Sequence, residues 1–159
     1  MKTTPSQVLT QFAACPEAIK YSQTANDPNT LWKNCTNASW LAWWLGRTAG
    51  KPGSSARRKL AACMYQIAMK FLERWEKENP ENESYRESLG VLKDWAYAQR
   101  QVTREDIVSR IKYAYICNIP FSNDLQTMTP LMVMNNPQDA VDIIKSMYPE
   151  PPGIRKEEV

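Results

Sequence analysis

The chain has 159 residues, 43% of them hydrophobic and 23% charged, with a net charge of +3, and this places it among globular domains rather than disordered or collagen-like chains. It contains no histidine, so Ser-His-Asp and Cys-His nucleophile pairs, histidine metal ligands and a histidine pH switch are excluded. No apolar run approaches the ~18–20 residues of a membrane span, and Met1–Gln7 leads into no apolar signal stretch, so a soluble cytoplasmic protein is expected.

Thr4-Pro5-Ser6-Gln7 supplies an N-cap, a proline at the first helical position and a glutamine at the capping-box position. Val8, Leu9 and Phe12 follow as an apolar face. A second helix is expected from Pro16, carrying Ala18, Ile19 and Tyr21. Asn26-Asp27-Pro28 marks a turn and a third start, with Leu31, Trp32 and Cys35 on its apolar side. Asn37 or Ser39 can cap the next helix, Trp40-Leu41-Ala42-Trp43-Trp44-Leu45, which is apolar nearly all round and so belongs near the core. Gly50 is expected to end it, and Lys51-Pro52-Gly53-Ser54 is a loop.

The longest helix is expected from Ser55 to Asn79, because Leu60, Met64, Ile67, Phe71 and Trp75 recur at spacings of three and four. Pro80 stops it. Another helix is expected up to Gln99, and Thr103-Arg104-Glu105-Asp106 caps one that carries Ile107, Val108, Ile111, Tyr115 and Ile116. The segment from Asn118 to Asn136 fits an irregular stretch, a helical turn or an isolated strand. Asn136-Pro137-Gln138 opens a last helix with Ala140, Val141, Ile144 and Met147. No sustained period-two alternation and no hairpin signal occur. The expected fold is all-α, one compact domain over residues 1–149 of about seven helices with short connections, then a flexible tail over 150–159.

Chemistry is sparse. The chain has no G-x-S-x-G, no Walker loop, no G-x-G-x-x-G and no H-E-x-x-H. Glu17, Asp27, Asp94 and Asp142 lie without motif spacing. Cysteines 15, 35, 63 and 117 form no C-x-x-C pair and read as reduced, buried thiols that act as small hydrophobes. Catalysis, a cofactor and a metal are therefore not expected.

Two constellations remain. Trp32, Trp40, Trp43 and Trp44 fall close together, in a chain with six tryptophans. Large aromatics of this kind build cores, or stack a base, or anchor a partner. Neighbouring positions on a helix diverge by about 100°, so Trp43 and Trp44 are not expected to face the same way, and one of the cluster is expected to line a groove. The second constellation runs from Arg47 to Lys59 with five bases and no acid. Residues 1–59 carry eight Lys/Arg against two Asp/Glu, an attraction for an anionic partner or simply a solvated face. Glycines, serines and free N–H groups at a helix start compose an anion site, or an ordinary helix start with exposed bases. The candidate ligand- or partner-binding residues are Trp40, Trp44, Arg47, Lys51, Ser54, Ser55, Arg57, Arg58 and Lys59.

The order Cys15-Pro16-Glu17-Ala18, Leu31-Trp32-Lys33-Asn34-Cys35, Trp40-Leu41-Ala42-Trp43, Lys59-Leu60-Ala61-Ala62-Cys63, then Trp95 and Val102-Thr103-Arg104-Glu105, resembles the fifth-type immunity proteins of bacterial polymorphic toxin systems. That family is also met in phages and mobile elements. The resemblance covers residues 10–116, with Ser39 where the family tends to carry an acid. It implies an all-helical protein that acts by binding, and it brings no catalytic residues.

The leading expectation is a non-catalytic protein that neutralises a macromolecular target, a toxin or a defence effector. The alternative is an anti-defence protein that sequesters an anionic, nucleotide-like signalling ligand. A third reading is an accessory protein that forms homo-oligomers through an apolar helix face. Sequence-specific nucleic-acid binding is not expected, because no helix-turn-helix, zinc-finger or RNP pattern is present.

Overall fold

A computed structural model describes residues 4–48, 54–78, 80, 90, 93, 94, 96, 97 and 137–153. Among them the fold is all-α, with no strand. Six helices are described: α1 (Pro5–Gln11), α2 (Pro16–Ser22), α3 (Pro28–Asn34), α4 (Ala38–Thr48), α5 (Ser55–Glu78) and α6 (Pro137–Met147). Residues 90, 93, 94 and 96 are also helical. Gly50 as the end of α4, the expected helix over 103–116, the segment 118–136, Cys117 and residues 154–159 lie outside the described residues.

Local chemistry sets the helix starts. Thr4 and Gln7 form the reciprocal capping box: the Thr4 amide donates to Gln7 Oε1 at 2.8 Å and the Gln7 amide to Thr4 Oγ1 at 3.3 Å. Asp27 Oδ1 accepts from the Thr30 amide at 2.9 Å. That bond holds the Asp27 carboxyl below its ordinary value. Of the two candidates for α4, Asn37 is the cap, its Oδ1 accepting from the Trp40 amide at 3.1 Å. Ser54 Oγ caps α5 by accepting from the Arg57 amide at 3.1 Å. Proline opens α1, α2 and α3, where its missing N–H costs nothing and its fixed φ suits the first turn.

The end of α1 is less economical. The Ala13 amide donates to Thr10 O at 3.0 Å and the Ala14 amide to Leu9 O at 3.1 Å, which is the paired bonding of a Schellman motif. That motif needs a left-handed residue, and Ala13 takes it with φ 56°. An L-residue with a Cβ is disfavoured there by roughly 1–2 kcal/mol.

The core sits between α3, α4, α5 and α6. Leu41 and Leu45 of α4 and Leu60, Met64 and Ile67 of α5 are nearly inaccessible to solvent. The expected stripe on α5 is thus buried at these three positions, while the Phe71 and Trp75 side chains lie outside the described ones. Helix α6 packs against both α4 and α5, burying Ala140, Val141 and Ile144. Arg74 of α5 pairs with Asp139 of α6 at the surface, a modest addition.

Residues beyond α6 turn back onto the first helices. Trp32 Nε1 donates to Tyr148 O at 2.8 Å, and Trp44 Nε1 donates to Pro152 O at 3.0 Å. Lys145 Nζ donates to Lys33 O at 2.7 Å, satisfying a carbonyl in the last turn of α3. Gly153 sits at φ 81°, where an added Cβ would lie 2.8 Å from Thr48 Cγ2. Residues 152 and 153 therefore lie against α4, and the rest of the expected tail, 154–159, lies outside the described residues.

Ala13→Gly is expected to stabilise the fold by about 1 kcal/mol, because glycine meets no Cβ penalty in the left-handed region. Thermal unfolding should show a rise of about 2–4 °C. An unchanged or lower midpoint would contradict the cap.

Candidate functional site

Helices α1 to α4 surround an apolar cavity of about 70 Å³, with Pro151 closing one side. Val8 and Leu9 come from α1, Tyr21 from α2, and Leu31 and Trp32 from α3. Trp40, Trp43 and Trp44 come from α4. No charged side chain is among the lining residues.

The four clustered tryptophans divide by burial. Trp32 and Trp44 are 5% and 7% exposed, and their indole N–H groups are bonded to Tyr148 and Pro152. They form the inner walls. Trp40 and Trp43 are only partly buried and stand toward solvent. Trp40 lies against Tyr21 with ring centroids 5.4 Å apart, and Trp43 tilts against Trp44 at 6.4 Å. Phe12, at the end of α1, meets the Trp44 edge at 5.4 Å. Trp43 and Trp44 differ in direction as neighbouring helix positions should, Trp44 being buried and Trp43 partly open, and both line the cavity.

The basic residues gather elsewhere. Arg47, in the last turn of α4, is exposed and lies 5.6 Å over the Trp43 ring, but it does not line the cavity. Ser54 is committed to capping α5, and Ser55 is exposed at the first position of that helix. Arg57 and Arg58 are half-buried on the first turn, and Lys59 lies 4.4 Å over the Tyr148 ring. None of Ser54, Ser55, Arg57, Arg58 and Lys59 lines the cavity. Lys51 lies outside the described residues. The structure thus brings Trp40 and Trp44 to the cavity, and leaves Arg47 over Trp43 and the start of α5 as a separate, internally capped turn.

Tyr21, Trp32, Trp43 and Pro151 belong to the cavity but not to the sequence candidates. Trp32 and Trp43 were legible as part of the aromatic cluster. Pro151 carried no signal beyond being a helix breaker.

Among the described residues no group of three or more Cys, Asp or Glu side chains converges to hold a metal ion. The thiols differ. Cys35 and Cys63 are buried as expected, whereas Cys15 is exposed at the start of α2. Proline at the next position leaves Cys15 as the cap residue outside the first turn, away from the core. Burial pushes the Cys63 thiol from 9.0 up to about 12, against the opposing pull of Lys59. Burial likewise raises Cys35 and Tyr148. These groups stay protonated and un-nucleophilic at neutral pH.

A thiol whose folded value is raised stabilises the fold below its unfolded value and loses that contribution as pH climbs through the folded one. For Cys63 the window runs from 9.0 to about 12. The denaturant midpoint should hold level through neutrality, fall above about pH 9, and fall less steeply in Cys63→Ala. Equal alkaline slopes in the two chains would contradict this burial.

No family model matches the chain, and neither a curated protein nor a solved structure matches it.

Proposed function

We propose that the protein is a non-catalytic binding protein that neutralises or inhibits a macromolecular target, a toxin or a defence effector, and that the aromatic cleft receives that target. The observation that carries this reading is the pairing of the two tryptophans, partly buried Trp40 and Trp43, with an unfilled apolar cavity behind them. Aromatic rings fixed by a rigid helix make strong protein-contact anchors, because little side-chain freedom remains to be lost. Arg47, over the Trp43 ring, adds a cation already oriented by it. The resemblance to immunity proteins points the same way.

Sequestering a nucleotide-like ligand is the competing reading. Such a ligand needs cations beside the ring on which its base stacks. Here no charged side chain lines the cavity, so its wall holds nothing to pair with a phosphate, and that favours a protein target.

Native mass spectrometry of the chain purified with its natural neighbours tests the proposal. A retained protein partner should be lost from Trp40→Ala and Trp43→Ala, each weakening binding by roughly 30-fold or more, as central aromatic anchors do. Arg58→Glu should retain it. A partner held equally by all variants would move the interface away from the cleft. A retained mass of a few hundred daltons, lost on denaturation, would support the nucleotide reading instead.

A further inference from the structure

The chain's own segment Tyr148-Pro149-Glu150-Pro151-Pro152-Gly153 runs past the aromatic cleft: Tyr148 belongs to the buried core, and Pro151 lines the cavity. Pro151 places its ring in the cavity wall among Trp32, Trp40 and Trp44. Two indole donors, Trp32 Nε1 and Trp44 Nε1, take carbonyls at the two ends of the segment, at 2.8 and 3.0 Å. Proline has no N–H, so a proline-rich segment can form no regular helix or ladder of its own, and its carbonyls need donors from elsewhere. Flat aromatic walls and fixed N–H donors are the chemistry that recognises such segments. The rigid ring also loses little freedom on docking.

We propose that the cleft recognises proline-rich peptide segments, and that residues 148–153 occupy part of it as an internal ligand. This rests on the cleft being the docking site, and it names the chemistry of the surface that docks. The cavity of about 70 Å³ beside Pro151 is the part of the site the internal segment leaves unfilled. Release of the segment has an identified control point. Gly153 does not line the cavity, yet its φ of 81° and its closeness to Thr48 make a side chain there strained. Gly153→Val is therefore expected to loosen the segment's C-terminal end while leaving every ring of the cleft in the sequence, and to free the Trp44 indole N–H from the Pro152 carbonyl for an incoming peptide.

The test is titration of the full-length chain with the synthetic hexapeptide Tyr-Pro-Glu-Pro-Pro-Gly, followed by tryptophan fluorescence. The same peptide with its three prolines changed to alanine is the control. The unaltered chain should bind the proline peptide weakly and the alanine peptide less. Gly153→Val should bind the proline peptide at least about fivefold more tightly, since the competing internal segment no longer reduces the open fraction. Binding by the unaltered chain that is indifferent to the prolines, or absent in both chains, would overturn the proposal, and neither result depends on the folding of the variant alone. If Trp40→Ala abolishes retention of the macromolecular target while the peptide binds neither chain, the cleft stands as the docking site and proline recognition falls. If the peptide binds as stated while Trp40→Ala and Trp43→Ala keep the target, the peptide site stands and the target's route is elsewhere.

Discussion

Two indole hydrogen bonds hold the described part of this molecule together end to end. Trp32 and Trp44 donate to the carbonyls of Tyr148 and Pro152, residues 116 and 108 positions away. A buried indole N–H left without an acceptor costs on the order of 1–3 kcal/mol, so the buried Trp32 bond favours the return of the C-terminal segment and the part-buried Trp44 bond adds to it. That return seats α6 against α4 and α5 and brings Pro151 to the cavity. Lys145 reinforces it by donating to the end of α3. The apolar core supplies most of the driving force, but burial has no direction. The indole bonds have direction, and they fix how the last helix lies on the first ones.

The same four-helix neighbourhood therefore has two layers. Trp32 and Trp44 are framework, buried and bonded. Trp40 and Trp43 lie outside them and stay partly open to solvent. A rigid inner layer keeps the outer rings in place, which is what a binding surface requires if ordering costs are to be avoided on association. The segment 148–153 belongs to both layers, since it is an acceptor for the inner indoles and a wall of the cleft.

Much of this was legible in the sequence wherever the determinant is local. The capping box at Thr4–Gln7, the Asp27-Pro28 start, the span of α5 and the start of α6 each follow from a few adjacent residues and appear as expected, while the α4 cap was legible only as Asn37 or Ser39 and the structure selects Asn37. Ala13 escaped notice because the residue usual at a left-handed helix end is glycine, and alanine there is disfavoured rather than forbidden. The roles of the tryptophans were only half legible. Their clustering marked an aromatic region, but which ring is framework depends on partners more than a hundred residues away. The Pro149–Pro152 run advertised the end of a helix and gave no sign that its carbonyls would be acceptors. The basic run at 47–59 looked like one feature, yet the structure splits it between Arg47, over the Trp43 ring, and the capped turn of α5.

The division between framework and surface rings is open to direct observation. Hydrogen exchange of the indole N–H protons, followed residue by residue by ¹H–¹⁵N NMR, separates rings bonded in the interior from rings open to water. The account predicts slow exchange at Trp32 and Trp44, approaching that of core amides in α5, and fast exchange at Trp40 and Trp43. Fast exchange at Trp32 and Trp44 would mean that the C-terminal segment is not held by these bonds, and it would remove both the inner layer and the wall of the cleft that rests on it.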